Sequence, residues 1–355
     1  MEIEAFLAAT KQPKYRLNQF NTAFYQHYLA DFEAFTNWPA ALRTEAKKVV
    51  KLQTLKPLNT QISADRGTVK VLFERVSCPG ELLEAVLMKH QDKRNSVCVS
   101  SMVGCPMGCV FCATGGMGFV ANLSAAEIVE QVLYFSRLLK AEKQKVTNIV
   151  FMGMGEPMIN LAATQEAIAI LTDKNRFALG SRGITVSTCG VTSALKKFVN
   201  DGYKGRLALS LHAPNQKLRE AIMPVAKTNP LKELLEVIDL YVQKTNRRVS
   251  YEYILIKDLN DQKEHAQELS ILLKNRLAHV NLIPYNSVPG KSFASPSKKT
   301  IFAFASELEK MGIPYTIRIT MGADIQAACG QLAAKGVPKS SQTSTTPAEK
   351  EATIQ

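Results

Sequence analysis

The chain has 355 residues, 46% hydrophobic and 21% charged, enough for one large folded domain with a small accessory unit and too apolar for a wholly disordered chain. Lys and Arg number 44 against 31 Asp and Glu, and a formal charge of +13 favours a polyanionic partner, nucleic acid first. No run of about 18 apolar residues and no apolar h-region is found, and seven cysteines do not form a disulfide framework, so a reduced cytoplasmic protein without a membrane partner is expected.

Residues 1–55 predict a small helical unit. Tyr15, Phe20, Phe24, Tyr28, Phe32 and Phe35 recur near helical spacing until Asn37 and Pro39 break the pattern. Lys11, Lys14, Arg16, Arg43, Lys47 and Lys48 make it basic, as a nucleic-acid grip would be; a solvated face over an aromatic core is the plainer account of any one of them. Residues 56–90 read as a connecting β segment in which two apolar runs between Val69 and Met88 flank a Cys78-Pro79-Gly80 turn. Glu84 sits within the second run, either on a solvent face or aimed into a site.

Beyond Asn95 short β-rich runs alternate with helical ones. Strands are expected at 97–100, 146–152, 184–188, 207–211, 249–256, 280–284 and 315–320. Helices are expected from Ser124, where Ser-Ala-Ala-Glu forms a capping box, and at 161–171, 231–242, 263–274 and 298–311. Strict alternation means an α/β fold with a parallel sheet, and about six units point to an incomplete β/α barrel over 91–333. A full barrel or a doubly wound sheet is the alternative. Residues 334–355 lack any apolar period and read as a disordered tail.

In parallel β/α folds the site lies at the carboxyl ends of the strands. After the first strand come Cys105, Cys109 and Cys112, spaced Cys-x3-Cys-x2-Cys in a loop turned by Gly104, Pro106 and Gly108 and carrying Phe111. Three thiolates are one short of the usual zinc or electron-transfer set, which leaves one iron of a cubane open to a non-protein ligand. Half a zinc site is the rival reading, but no second Cys-x2-Cys completes it. Gly153-Met-Gly-Glu-Pro157 follows the second strand, where Gly155 lets backbone approach a ligand and Glu156 can accept from an ammonium or ribose; a simple turn is the plainer alternative.

Ser187 ends the third strand, Ser210, Leu211 and His212 end the fourth, and Asn286 follows the sixth. His212 taken alone is more simply a structural imidazole. Cys329 lies on a small-residue loop after the last strand and Cys98 on the first, so two thiols at the rim suggest covalent chemistry. Cys78 and Cys189 read as inert.

These motifs together resemble the RlmN/Cfr family of radical S-adenosylmethionine (SAM) RNA methyltransferases. The resemblance rests on Cys-Val-Ser-Ser, Gly-Cys-Pro-x-Gly-Cys-x-Phe-Cys-Ala-Thr-Gly, Phe-Met-Gly-Met-Gly-Glu-Pro, Val-Ser-Thr-Cys-Gly, Leu-Ser-Leu-His-Ala-Pro, Asn-Leu-Ile-Pro-Tyr-Asn and Ala-Ala-Cys-Gly-Gln-Leu, and it covers roughly residues 14 to 333. It implies a 4Fe-4S cluster on Cys105, Cys109 and Cys112, two SAM per turnover, and SAM contacts at Gly155, Glu156, Ser187, Ser210, Leu211, His212 and Asn286. The implied substrate is an adenosine at the peptidyl-transferase centre of 23S rRNA, and in some members of the family also one in the tRNA anticodon loop, methylated at carbon 2 by a monomer served by an external low-potential electron donor.

By the same resemblance Cys329 carries the methyl group as S-methylcysteine and joins the base covalently. Cys98 then removes the base proton and closes a transient disulfide to release product. Carbon 2 of adenine is electron-poor, so radical addition replaces nucleophilic attack. Gly155-Glu-Pro157 and Pro284 resemble the carbon-2 enzymes rather than the carbon-8 Cfr type, which stays the alternative. Met321-Gly-Ala-Asp324 departs from the usual Arg-Gly-Asp-Asp. A loop one residue longer before Cys98 weakens the carry-over of a proton-acceptor role to Glu84. Rivals are a radical SAM enzyme for a small molecule and a non-catalytic, metal-stabilised RNA-binding protein.

Overall fold

The protein is described by a computed structural model over residues 2–334. Helices α1 (Glu2–Ala9), α2 (Tyr15–Asn21) and α3 (Ala40–Val49) open it, with a π-helical turn at Thr22–Gln26 continuing α2. Phe20, Phe24, Phe32 and Phe35 are buried as the aromatic spacing predicts, joined by Tyr25 and Trp38. Tyr15 is exposed instead, with the Arg16 guanidinium 5.0 Å over its ring. These rings share one continuous buried cluster with residues such as Leu133 and Ile170 farther along the chain. The boundary near residue 55 is therefore a change of element type and not a break in the core.

Strands β1 (Leu55–Ile62), β2 (Thr68–Arg75) and β3 (Leu82–Lys89) form an antiparallel run, and the Cys78-Pro79-Gly80 turn joins the last two. β1 lacks a strand-like pattern because only Leu55 is buried; it is an edge strand with Pro57 and a register shift, devices that blunt an edge. β4 (Asn95–Cys98) pairs antiparallel with β3. A small hairpin, β5 (Met102–Gly104) and β6 (Phe119–Asn122), brackets the cysteine loop.

Helix α4 (Ala125–Ala141) begins at the capping box, with both arms formed: the Glu127 amide reaches Ser124 Oγ at 3.2 Å and the Ser124 amide reaches Glu127 Oε2 at 2.8 Å. Its stripe Ile128, Val132, Phe135 and Leu139 is fully buried, each side chain contributing about 1.5–3 kcal/mol. There follow β7 (Asn148–Phe151), α5 (Leu161–Thr172), β8 (Ile184–Thr188), α6 (Thr192–Asn200), β9 (Arg206–Ser210), α7 (Gln216–Ile222), α8 (Leu231–Thr245), β10 (Val249–Leu255), α9 (Lys263–Leu273), β11 (Ala278–Pro284), α10 (Lys298–Lys310) and β12 (Tyr315–Ile317).

From β4 through β7 to β12 each strand pairs in parallel with the next in sequence. A doubly wound sheet would reverse its order at a switch point, and this one does not. The sheet is also not closed, since β4 pairs with β3 on its outer side and β12 forms the other edge. Six β/α units ending on a seventh strand are thus an incomplete barrel, extended by three antiparallel strands. Among the described residues no helix is long and apolar enough to cross a membrane. The segment expected as a tail lies outside the described residues from 335 onward; Ala334, at its start, is buried.

Candidate active site

The cysteine loop leaves β5 and returns into β6, and its neck is closed by the Cys105 amide on the Gly118 carbonyl at 2.8 Å. Gly104 holds φ +72°, and a side chain there would run into that carbonyl. All seven cysteines are unpaired. Cys105, Cys109 and Cys112 are half-buried, and Cys109 and Cys112 pack against an apolar cluster that includes Phe111, Ala213, Ile222, Met223 and Ile254. Burial pushes the Cys105 thiol up to about 12, and Cys109 is raised by burial and then by the charges of Cys112 and Cys105.

The three side chains thus face one another electrostatically. Among the described residues no three His, Cys, Asp or Glu groups are gathered tightly enough for a single metal ion. A cubane takes each thiolate on a different iron, so it needs wider spacing than one ion does. Three free thiols in one loop, raised chiefly by burial, fit such a cluster.

Cys98 ends β4 on the same rim. Its thiol is pushed up to about 12 by burial and then by the charge of Cys329, so the two thiols are close enough to sense each other. Cys329 is solvent-accessible yet surrounded by enough protein to raise its thiol, the position of a residue lining a concavity; Arg318 pulls it back. Arg318 follows β12, and its charge reaches Cys98, Cys329 and the buried Glu252 of β10. Nothing in its sequence surroundings marked it.

The Cys329 segment crosses the open side of the barrel, fastened at both ends of its path. Ala113, next to Cys112, donates its amide to Gly330 O at 2.8 Å, and Thr114 Oγ1 donates to Leu332 O at 2.6 Å. Asn286 Nδ2 donates to Cys329 O at 3.2 Å. On the other side the Ala64 amide reaches Asp324 Oδ2 at 2.9 Å and Lys70 Nζ reaches Gln326 O at 3.3 Å. The aspartate of the divergent Met321-Gly-Ala-Asp324 stretch therefore makes a loop contact. Glu84 lies neither on a solvent face nor in the open: it is buried, paired with Lys70, and accepts the amides of Ala333 and Ala334.

Glu156 is buried with its carboxylate engaged by Thr188 Oγ1 (2.6 Å), the Cys189 amide (2.8 Å) and the Met158 amide (3.0 Å), and burial raises its pKa. Gly155, at φ +99°, packs where a side chain would meet Met102, so this glycine serves close packing of the loops. Ser187 Oγ and Ser210 Oγ stand 3.3 Å apart at the ends of β8 and β9, and Leu211 beside them is fully buried. The His212 ring accepts from the Ile254 amide on Nδ1 at 3.1 Å and meets Phe111 edge-on with centroids 4.9 Å apart. Burial, then Arg219, lowers its pKa to about 3, so the imidazole is neutral.

Two further polar residues escaped the sequence reading because they sit within or beside helices. Gln131 of α4 receives the Ser100 amide at 2.8 Å and donates to Ser100 O at 3.0 Å, fixing the strand exit after Cys98. Asn260 Nδ2 holds both His212 O (2.9 Å) and Ile254 O (2.6 Å).

Residues 99–269 match the model of the Radical SAM superfamily. A protein of Carboxydothermus hydrogenoformans named "Probable dual-specificity RNA methyltransferase RlmN" is 41% identical over 94% of this chain and 96% of its own length. The chain belongs to the RlmN family of radical SAM RNA methyltransferases. A Nitrosopumilus maritimus relative, named "Ribosomal RNA large subunit methyltransferase N", is 40% identical over 93% of this chain and 95% of itself. A crystal structure of a radical SAM methyltransferase from Sphaerobacter thermophilus superposes with a TM-score of 0.91 at 42% identity, covering 94% of this chain and 97% of that one. The chain is thus a SAM-dependent RNA methyltransferase of RlmN type, and the family brings SAM and an iron-sulfur cluster with it.

Proposed function

We propose that this enzyme methylates carbon 2 of an adenosine in 23S rRNA, and of an adenosine in tRNA, using Cys329 as the carrier of the transferred carbon. The observation that carries this reading is the fastening of the Cys329 segment onto the cysteine loop through Ala113 and Thr114, with Cys98 on the same rim. Cys105, Cys109 and Cys112 would hold a 4Fe-4S cluster, which with SAM supplies one-electron generation of a carbon radical.

The remaining work falls to side chains. Cys329 presents the carbon to the base and holds the base covalently after addition. After addition the adduct gives up its unpaired electron to the one-electron centre and Cys98 takes the carbon-2 proton. Cys98 sulfur then attacks Cys329 sulfur, and the bond between that sulfur and the transferred carbon breaks with its electron pair going to the carbon. The carbon takes a proton to become the methyl group, and a disulfide remains. Ser187, Ser210, Leu211, His212, Asn286 and the Gly155-Glu156 turn would contact SAM, as the family resemblance implies. The target nucleotide must leave its stack to reach this rim, and a basic surface with a monomeric, cytoplasmic enzyme and an external electron donor suits that task.

Mass spectrometry of digested rRNA and tRNA from cells with and without the gene tests the proposal. Loss of 2-methyladenosine from both RNAs is the expected result. A methyl group on carbon 8, or no change in either RNA, overturns it.

A further inference from the structure

Arg219 of α7 is completely buried, yet no carboxylate pairs with it among the described residues. Its Nη2 donates to Cys189 O at 2.5 Å and to Ser210 O at 3.3 Å, while Nε and Nη1 have no partner at all. Glu156 is near enough to be felt, but its oxygens are taken by Thr188, Cys189 and Met158. A buried guanidinium with two idle nitrogens destabilises a fold unless something anionic compensates it. The surrounding protein offers carbonyls and thiols.

The direction in which the missing charge lies is set by the neighbours. The α7 terminus is tied to the cysteine loop, since the Val110 amide donates to Ile222 O at 3.1 Å. Cys109 and Arg219 each sense the other's charge. We propose that Arg219 is the built-in counter-charge of the thiolate-ligated iron-sulfur centre, offering its idle N–H groups to the anionic sulfurs beside Cys109. This deepens the function proposed above and rests on it. A cation and N–H donors beside a cluster favour its more negative, reduced form, so Arg219 raises the potential at which the centre takes up its electron.

The test uses the full chain, metal-free and after anaerobic reconstitution with iron and sulfide, without SAM, as wild type, Arg219→Met and Arg219→Lys. In the metal-free state the Met variant should melt at a higher temperature than wild type, because an unpaired buried charge is gone. In the reconstituted state the order should reverse, and an EPR-monitored titration should show the Met variant reduced at a lower potential than wild type, with the Lys variant between them. A metal-free Met variant that melts lower or fails to fold overturns the inference, since the charge would then be compensated inside the protein. So does an unchanged potential at equal iron content, even if SAM binding is altered. A wild-type chain that loads no iron defeats the function proposed above; a loaded wild type with indifferent Arg219 variants defeats this inference alone.

Discussion

Lys70 Nζ lies 3.1 Å from Glu84 Oε1 in a pair only 8% exposed on either side, and the second Glu84 oxygen accepts the Ala333 and Ala334 amides at 2.9 and 3.2 Å. One carboxylate therefore ties β2, β3 and the end of the Cys329 segment together. Lys70 adds a bond of its own to Gln326 O on that segment. The geometry is that of an anchor, since the carboxylate's contacts are taken by a lysine and two backbone amides.

An anchor and a proton acceptor respond differently to substitution. Glu84→Ala should cost about 3–5 kcal/mol, because it leaves the Lys70 ammonium buried and unpaired. It should also make the segment near residue 330 sensitive to protease. The double variant Lys70→Met, Glu84→Gln removes the orphan charge and keeps an acceptor for the Ala333 and Ala334 amides. Denaturant unfolding and methyl-transfer assays should show it recovering most of what the Ala variant loses. A stable but inactive double variant would return Glu84 to a proton-transfer role.

The sheet was legible because each parallel strand is a short apolar run between Gly, Pro or Asn punctuation, and because α4 announces itself with Ser124 and Glu127. β1 was not legible, since six of its eight residues are exposed, only Leu55 is buried, and no period survives. The cysteine loop could be read from spacing alone. Arg219 and Asn260 could not: a buried cation and a buried amide look in sequence like any solvated polar residue, and only depth distinguishes them. The same blindness left Glu84 between a solvent face, which its burial excludes, and a site, for its partner Lys70 lies fourteen residues away on another strand.

The cysteine triad should be indispensable for iron. Cys109→Ala removes one of the three loop thiols, and among the described residues no other group of His, Cys, Asp or Glu is gathered to hold a metal in its place. Iron per chain after anaerobic reconstitution should fall sharply, and Cys78→Ala should load like wild type. Equal iron in both variants would dismiss the cluster assignment.

The expected basic grip needs a sharper test than deleting residues 1–55. Phe20, Phe24 and Trp38 belong to the common core, so deletion would expose apolar surface throughout the junction. Three of the six basic residues are also engaged internally: Arg16 donates to Asn37 O, Arg43 to Glu33 O, and Lys47 pairs with Glu33. Lys11, Lys14 and Lys48 remain exposed. Changing these three to Glu should lower RNA affinity and reduce the slope of log affinity against log salt by about one unit per lost phosphate contact. An unchanged slope would place the RNA grip elsewhere on the molecule.

Cys98 and Cys329 should fail at different steps. Cys329→Ala removes the carbon carrier, so no methyl group can reach the protein and no covalent RNA adduct can form. Cys98→Ala leaves the carrier, and with it addition to the base, but takes away the proton acceptor and the sulfur that would release it. RNA should therefore co-purify covalently with the Cys98→Ala protein on a denaturing gel, and the band should vanish in the Cys98→Ala, Cys329→Ala double variant. The proposed order of steps requires this asymmetry, because only a sulfur near Cys329, as Cys98 is, can resolve the adduct. Two merely structural thiols would give similar small losses of stability and trap nothing. Continued turnover in either single variant would show that the carbon reaches the base without passing through Cys329 and Cys98.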